Sequence, residues 1–99
     1  MATEKRTLTP IVGVAHNEDD SGFVIEVDLA GAAKESVDLD VGNTGFCVKA
    51  EGEDFRYENC FMLAHEIRPA EATARFSSGL LRIEVPFRDS TRGTKVQVL

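Results

Sequence analysis

The sequence predicts an all-β fold with two packed sheets, on the basis of three features. Apolar and polar residues alternate along several short segments, turn-forming residues separate these segments, and no long segment has the 3.6-residue apolar period of a helix. Short strands at this regular spacing are typical of a β-sandwich. The predicted strands lie near residues 11–16, 22–29, 36–42, 45–51, 56–63, 72–77, 80–86 and 95–98.

Strand alternation is clearest in the second of these segments. Successive side chains of a strand point to opposite faces, so every second residue belongs to the buried face. The later strands repeat the pattern around polar residues such as Asp38, Lys49 and Arg82. The predicted buried faces consist of Phe23, Ile25, Val27 and Leu29; Val37, Leu39 and Val41; Phe46, Val48 and Ala50; and Leu81, Ile83 and Val85.

The connections between strands contain residues that favour turns. Residues 17–22 and 42–45 are polar and end in glycine, which adopts positive φ without a steric penalty, and both are predicted hairpin turns. Residues 51–54 and 77–79 form further predicted turns. Residues 32–36 and 69–72 are long enough for only one helical turn each, and Pro86 is expected to end its strand because it cannot donate a backbone hydrogen bond.

Length and charge limit the possible functions. A chain of 99 residues fits one domain, and its net charge of −6 disfavours binding to nucleic acid or to anionic lipid. The apolar runs are too short to cross a bilayer, and the first ten residues do not resemble a secretory signal. We therefore expect a cytoplasmic protein with neither nucleic acid nor membrane as a partner.

No combination of residues indicates catalysis, a cofactor or a metal site. His16 and His65 lie on separate segments without cysteine or carboxylate at the spacing of metal ligands. Cys47 and Cys60 are expected to be free thiols, because reducing compartments disfavour disulfides and Lys49 is the only basic residue near them in the sequence. The alternative is a redox-sensing pair, since a hairpin that turns at residues 53–54 would place the two cysteines opposite each other.

Four segments resemble the α-crystallin domain of small heat-shock proteins, in that family's order, across roughly residues 10–86. Residues 23–31 resemble an early strand and the proline-glycine corner that follows it, with Ala30 in place of proline. Residues 46–51 are similar to the fifth strand, and residues 60–64 to an aromatic-x-leucine-proline segment that ends here in alanine. The most specific likeness is to the family's signature of alanine, four residues, glycine, valine and leucine. Ala74, Gly79 and Leu81 match it, and Leu80 differs conservatively as leucine in place of valine.

The resemblance implies an immunoglobulin-like β-sandwich at residues 10–87, between a short flexible arm at 1–9 and a carboxyl-terminal extension at 88–99. It also implies a groove between two edge strands that binds extended segments. Val96 and Val98 resemble the family's isoleucine-x-isoleucine anchor, which docks in a neighbour's groove; the alternative is a last strand paired within the same chain. The implied groove residues are Val37, Leu39, Val41, Ala74 and Phe76.

The resemblance further implies a non-enzymatic chaperone that holds partly unfolded proteins without ATP and forms a dimer or small homo-oligomer. Residues 51–57 are too few for the long loop, carrying an extra strand, that many bacterial and plant members exchange between subunits. Two alternative functions are an adaptor that binds one specific folded protein and a structural assembly component. General suppression of aggregation would favour the chaperone, whereas a single tight partner would favour the adaptor.

Overall fold

The computed structural model describes residues 5–89 and 96–99 of the chain. These residues form two four-stranded sheets, which confirms the prediction of an all-β sandwich. Helical structure within the described residues is limited to two single 3-10 turns, Lys34–Ser36 and Pro69–Glu71, close to the predicted positions. The strands are β1 (Arg6–Leu8), β2 (Ile11–His16), β3 (Gly22–Asp28), β4 (Asp38–Val41), β5 (Gly45–Glu51), β6 (Phe55–Met62), β7 (Thr73–Ser77) and β8 (Leu80–Pro86).

The strand order explains how the chain builds two layers. Sheet 1 has the order β1-β6-β5-β4, and sheet 2 has the order β2-β3-β8-β7. All neighbouring strands are antiparallel except β1 and β6, which are parallel. The chain therefore passes between the sheets three times in its described part, after β1, β3 and β6. None of the described residues forms a helix with the length and apolar character needed to span a membrane.

The core between the sheets contains the residues that the alternation predicted. All but three of the residues assigned to buried faces are fully buried, and the exceptions are on β4 or just before it. Ile67 and Phe87 add to this core from outside the strands, where they pair in an isolated antiparallel bridge. This bridge joins the β6–β7 connection to the residue after β8, which closes one end of the sandwich.

Two strand predictions differ from the structure. Strand β1 was not predicted, because its three residues are too few to show an alternating pattern and it lies in the segment taken as the flexible arm. The last predicted strand, at 95–98, is wrong for the described residues 96–98, which have no strand structure. Two alternate valines satisfied the strand pattern, but Val96 and Val98 are 81% and 92% exposed and face no sheet.

The two lateral borders of the sandwich are different. On one side, Thr9 and Pro10 carry the chain directly from β1, at the edge of sheet 1, to β2, at the edge of sheet 2. Asn59 of β6 donates a 3.3 Å hydrogen bond to the Thr9 hydroxyl across this border. On the other side, β4 and β7 are the two edge strands, and no described strand pairs with the outer edge of either.

Candidate functional site

The candidate site is the border between β4 and β7, and its first wall is β4 with the residue before it. Val37, Leu39 and Val41 are half-buried and pack against the core. Leu39 pairs with Val48 of β5, and Val41 pairs with Phe46, so both side chains point inward like their buried partners. Because β4 is an edge strand, these inward side chains have core neighbours on one side and remain partly open on the other.

Strand β7 forms the second wall. Ala74 pairs with Ile83 of β8, and Phe76 pairs with Leu81, so both face inward with their buried partners. Phe76 is half-buried against the core, whereas Ala74 is exposed even though it points inward. The exposure of an inward-facing residue indicates that little covers the border at this position.

The signature glycine has a structural explanation in the turn between β7 and β8. Ser78 and Gly79 both have positive φ, at 51° and 82°, as a two-residue hairpin turn of the tight type requires. The Gly79 carbonyl accepts a 2.7 Å hydrogen bond from the backbone N–H of Leu29. A Cβ at residue 79 would lie 3.1 Å from the Cα of Ala30. Gly79 therefore fixes both the turn and its contact with the segment after β3.

The remaining signature residues occupy different environments. Leu81 is fully buried in the core, and Leu80 is partly exposed at the start of β8. Ala74 belongs to the β7 wall of the border. The signature therefore combines a core position, a turn and a position at the border, so it specifies the β7–β8 hairpin rather than a separate binding site.

The free-thiol prediction for the cysteines is wrong. Cys47 and Cys60 are joined by a disulfide between β5 and β6, with their Cα atoms 4.0 Å apart. The hairpin register pairs these two residues directly, as the alternative hypothesis required. A reducing compartment limits the supply of oxidant, whereas the geometry of the hairpin brings the two sulfur atoms together.

His16 and His65 lie on separate segments of the sequence but are close in the structure. Their ring centroids are 5.5 Å apart, and both rings contact Phe23 and Phe87 at the end of the sandwich. The Nδ1 atom of His16 hydrogen-bonds to the carboxylate of Asp20. No three histidine, cysteine, aspartate or glutamate side chains are grouped to hold a metal ion within the described residues. Because His16 and His65 are distant in sequence, spacing could not indicate the contact between their rings.

Comparisons with known proteins agree with this geometry. No family model matches the chain. It is 27% identical to Small heat shock protein C2 of Rickettsia felis over an alignment that covers 98% of this chain and 71% of that protein. Heat shock protein 16.0 from Schizosaccharomyces pombe matches the fold with a TM-score of 0.72 at 17% identity, covering 94% of this chain and 77% of that chain.

A small heat-shock protein from Xylella fastidiosa also matches the fold, with a TM-score of 0.67 and 20% identity over 92% of this chain and 96% of that chain. The fold is therefore the immunoglobulin-like sandwich of the α-crystallin domain. The resemblance to small heat-shock proteins, first seen in four sequence segments, is confirmed by the match to Rickettsia felis and by the shared fold.

Proposed function

We propose that this chain is an ATP-independent holdase that binds extended apolar segments of partly unfolded proteins at the border between β4 and β7. The observation that carries this proposal is the exposure of inward-facing Ala74 on β7, which together with β4 has an outer edge that no described strand pairs with. An edge strand offers free backbone N–H and C=O groups, and the half-buried apolar side chains beside it provide a surface for alternate residues of an added strand.

The chemistry of the border favours clients with low specificity. Its side chains are aliphatic or aromatic, so they contribute through burial of apolar surface, which is not directional. Backbone hydrogen bonds to an incoming strand do not depend on its sequence. We therefore propose unfolded proteins as the partners of a non-enzymatic function. The proposed function needs no cofactor, nucleic acid or membrane, and its proposed location is the cytoplasm.

The test is suppression of the heat-induced aggregation of an unrelated, heat-labile enzyme, measured by light scattering. Ala74→Glu places a charge at the border without removing a core side chain. We expect it to raise several-fold the concentration of this protein that is needed to suppress half of the client's aggregation. Ser77→Glu is the matched control, because residue 77 is an exposed position on the same strand whose side chain has the opposite phase.

Two results would contradict the proposal. One is a wild-type protein that leaves the aggregation of the client unchanged at a molar excess. The other is equal suppression by the wild-type protein and the Ala74→Glu variant, with circular dichroism showing that the variant is folded. A single stable partner recovered without any suppression would favour the adaptor function instead.

The proposal also includes self-association through the carboxyl-terminal segment. Val96 and Val98 are exposed and unpaired with either sheet, and residues two apart in an extended segment project to the same side. Burial of both valines in a neighbour's border is worth about 3–6 kcal/mol gross. The lost conformational entropy of the segment and the lost translational entropy of the subunit offset most of this free energy. Single contacts are therefore weak, and several are needed for a lasting assembly.

This self-association is tested by solution mass across protein concentration. We expect replacement of Val96 and Val98 together by serine to move assembly to higher concentration, while Gln97→Ser has little effect. Identical mass profiles for the wild-type protein and the double variant would exclude the valines as the anchor.

A further inference from the structure

The disulfide occupies the position in the β5–β6 hairpin where two side chains approach most closely. The backbone N–H of Gly52 donates a 2.9 Å hydrogen bond to the carbonyl of Phe55, so this pair next to the turn is a hydrogen-bonded pair. Hydrogen-bonded and non-hydrogen-bonded pairs alternate along an antiparallel ladder, and Cα atoms are closer in the second kind. By this alternation Cys47 and Cys60 form a non-hydrogen-bonded pair, consistent with their 4.0 Å Cα separation.

The bond lies on the outer face of sheet 1, away from the core. Cys60 is exposed and Cys47 is half-buried. A shallow hollow lies on each side of the bond: one includes Phe61 and Met62 in its lining, the other includes Lys49. A small reagent can therefore reach the sulfur atoms from solvent, which is the access that thiol-disulfide exchange requires.

The hairpin has other interactions that hold its strands together without the bond. Strands β5 and β6 pair along residues 45–51 and 56–62. On the inner face Phe46 and Phe61 stack with ring centroids 5.2 Å apart, next to the cysteine pair in the ladder. These contacts keep the two cysteines in register after the disulfide is broken, so the reduced chain retains the geometry needed to form the bond again.

We propose that Cys47 and Cys60 are a reversible redox site of the folded protein, reduced by dithiols and oxidised by peroxides. In reduction, a thiolate of the dithiol attacks the exposed Cys60 sulfur and releases the Cys47 thiolate. The second thiol of the reductant then attacks the mixed disulfide and releases the Cys60 thiolate. The reductant becomes a disulfide, two electrons pass to the protein, and the two protons of the reductant end on the cysteine thiols.

Oxidation by hydrogen peroxide reverses the change in two steps. The Cys60 thiolate attacks one peroxide oxygen, which gives a sulfenic acid and hydroxide. The Cys47 thiolate then attacks the sulfenic sulfur, which forms the disulfide and releases a second hydroxide. With two protons the net products are the disulfide and two water molecules. Neither reaction needs a bound client, and both require only a folded β5–β6 hairpin.

The first experiment treats the oxidised full chain with dithiothreitol in native buffer, traps thiols by alkylation and follows the mass. We expect the reduction rate to rise in proportion to dithiothreitol and to be insensitive to urea below the unfolding transition. A rate that is independent of dithiothreitol and increases with urea would show that the bond opens only after global unfolding, and would overturn the proposal.

The second experiment oxidises the reduced, folded protein with hydrogen peroxide. We expect both the wild-type protein and Met62→Leu to form an intramolecular disulfide and to remain monomeric. The Met62→Leu variant removes the thioether beside the site, because this thioether would compete with the cysteines for the oxidant. Cys47→Ser is the matched variant that lacks the second thiol, and it should stop at a sulfenic acid or form intermolecular dimers. Intermolecular dimers as the main product from the wild-type protein would contradict the proposal.

Amide hydrogen exchange then tests whether the effect of the bond is local. We expect reduction to increase exchange in β5 and β6 and in β4, where Asp40 pairs directly with Cys47, by several-fold more than in sheet 2, whose amides remain protected and change only with the global stability. The variant with both cysteines replaced by serine should match the reduced protein. A reduced protein that loses protection throughout both sheets would show that the disulfide is a structural requirement and would refute a reversible site.

Discussion

Replacement of Gly79 by alanine tests whether the β7–β8 turn is as restricted as the structure indicates. Gly79 has φ of 82°, and a Cβ there would lie 3.1 Å from the Cα of Ala30. A non-glycine residue held in this conformation costs about 1–3 kcal/mol. The new contact is with backbone, which cannot rotate away, and the carbonyl of residue 79 is held by the N–H of Leu29 at 2.7 Å. We therefore expect a loss of about 2 kcal/mol.

A loss of this size should lower Tm by about 8–16 °C in a domain of this length. The assay is thermal and urea unfolding of the oxidised protein, followed by circular dichroism. Ser78→Gly is the control in the same turn, where φ is 51°. Its relief of left-handed strain and its larger unfolded-state entropy oppose each other, so we expect a change below about 1 kcal/mol. An unchanged Tm for Gly79→Ala, or equal losses in both variants, would refute this account of the turn.

Three further changes test the core, the surface and the disulfide, with the free energy of unfolding from urea titration as the measurement in each case. Ile83→Ala should lower it by about 2–5 kcal/mol, because Ile83 is fully buried between the sheets, and a loss below 1 kcal/mol would contradict this packing. Met62→Ser should change it by no more than about 0.5 kcal/mol, because Met62 is 84% exposed, and a larger loss would indicate a contact not seen in the structure. Reduction of the disulfide should lower it by about 3 kcal/mol, since the bond closes a loop with a sequence separation of 13, and equal stability of both forms would contradict the loop-closure estimate.

The sequence was sufficient to predict most of the strands because alternation marks the face that packs inward, which is fully buried in β3, β5 and β8 and partly buried in β4 and β6. In β3, β5 and β8 the alternating residues predicted to be inside are buried without exception. Strand β1 escaped prediction because its pairing with β6 is between residues far apart in the sequence and gives no local pattern. The segment at 96–98 shows the opposite error. Its alternating valines make it suitable for strand pairing, but no described strand pairs with it.

The candidate site was less accessible to sequence reasoning than the fold. The half-burial of Leu39 and the exposure of Ala74 depend on which strands lie at the sheet edges, and strand order follows from three-dimensional topology. The groove residues were named from a family resemblance, and their role in binding remains a prediction. Hairpin register pairs the two cysteines, whereas the expectation of a reducing compartment favours free thiols and says nothing about this geometry.

The parallel pairing of β1 along β6 limits how the sandwich can be extended by other chains. Sheet 1 has two lateral ends, and one of them is already occupied by three of the protein's own residues. A strand added at the opposite end of this sheet joins at β4, beside the proposed client site. Clients and neighbouring subunits that both bind by strand addition at β4 would then compete for the same edge, so such assembly would itself regulate how many binding positions are vacant.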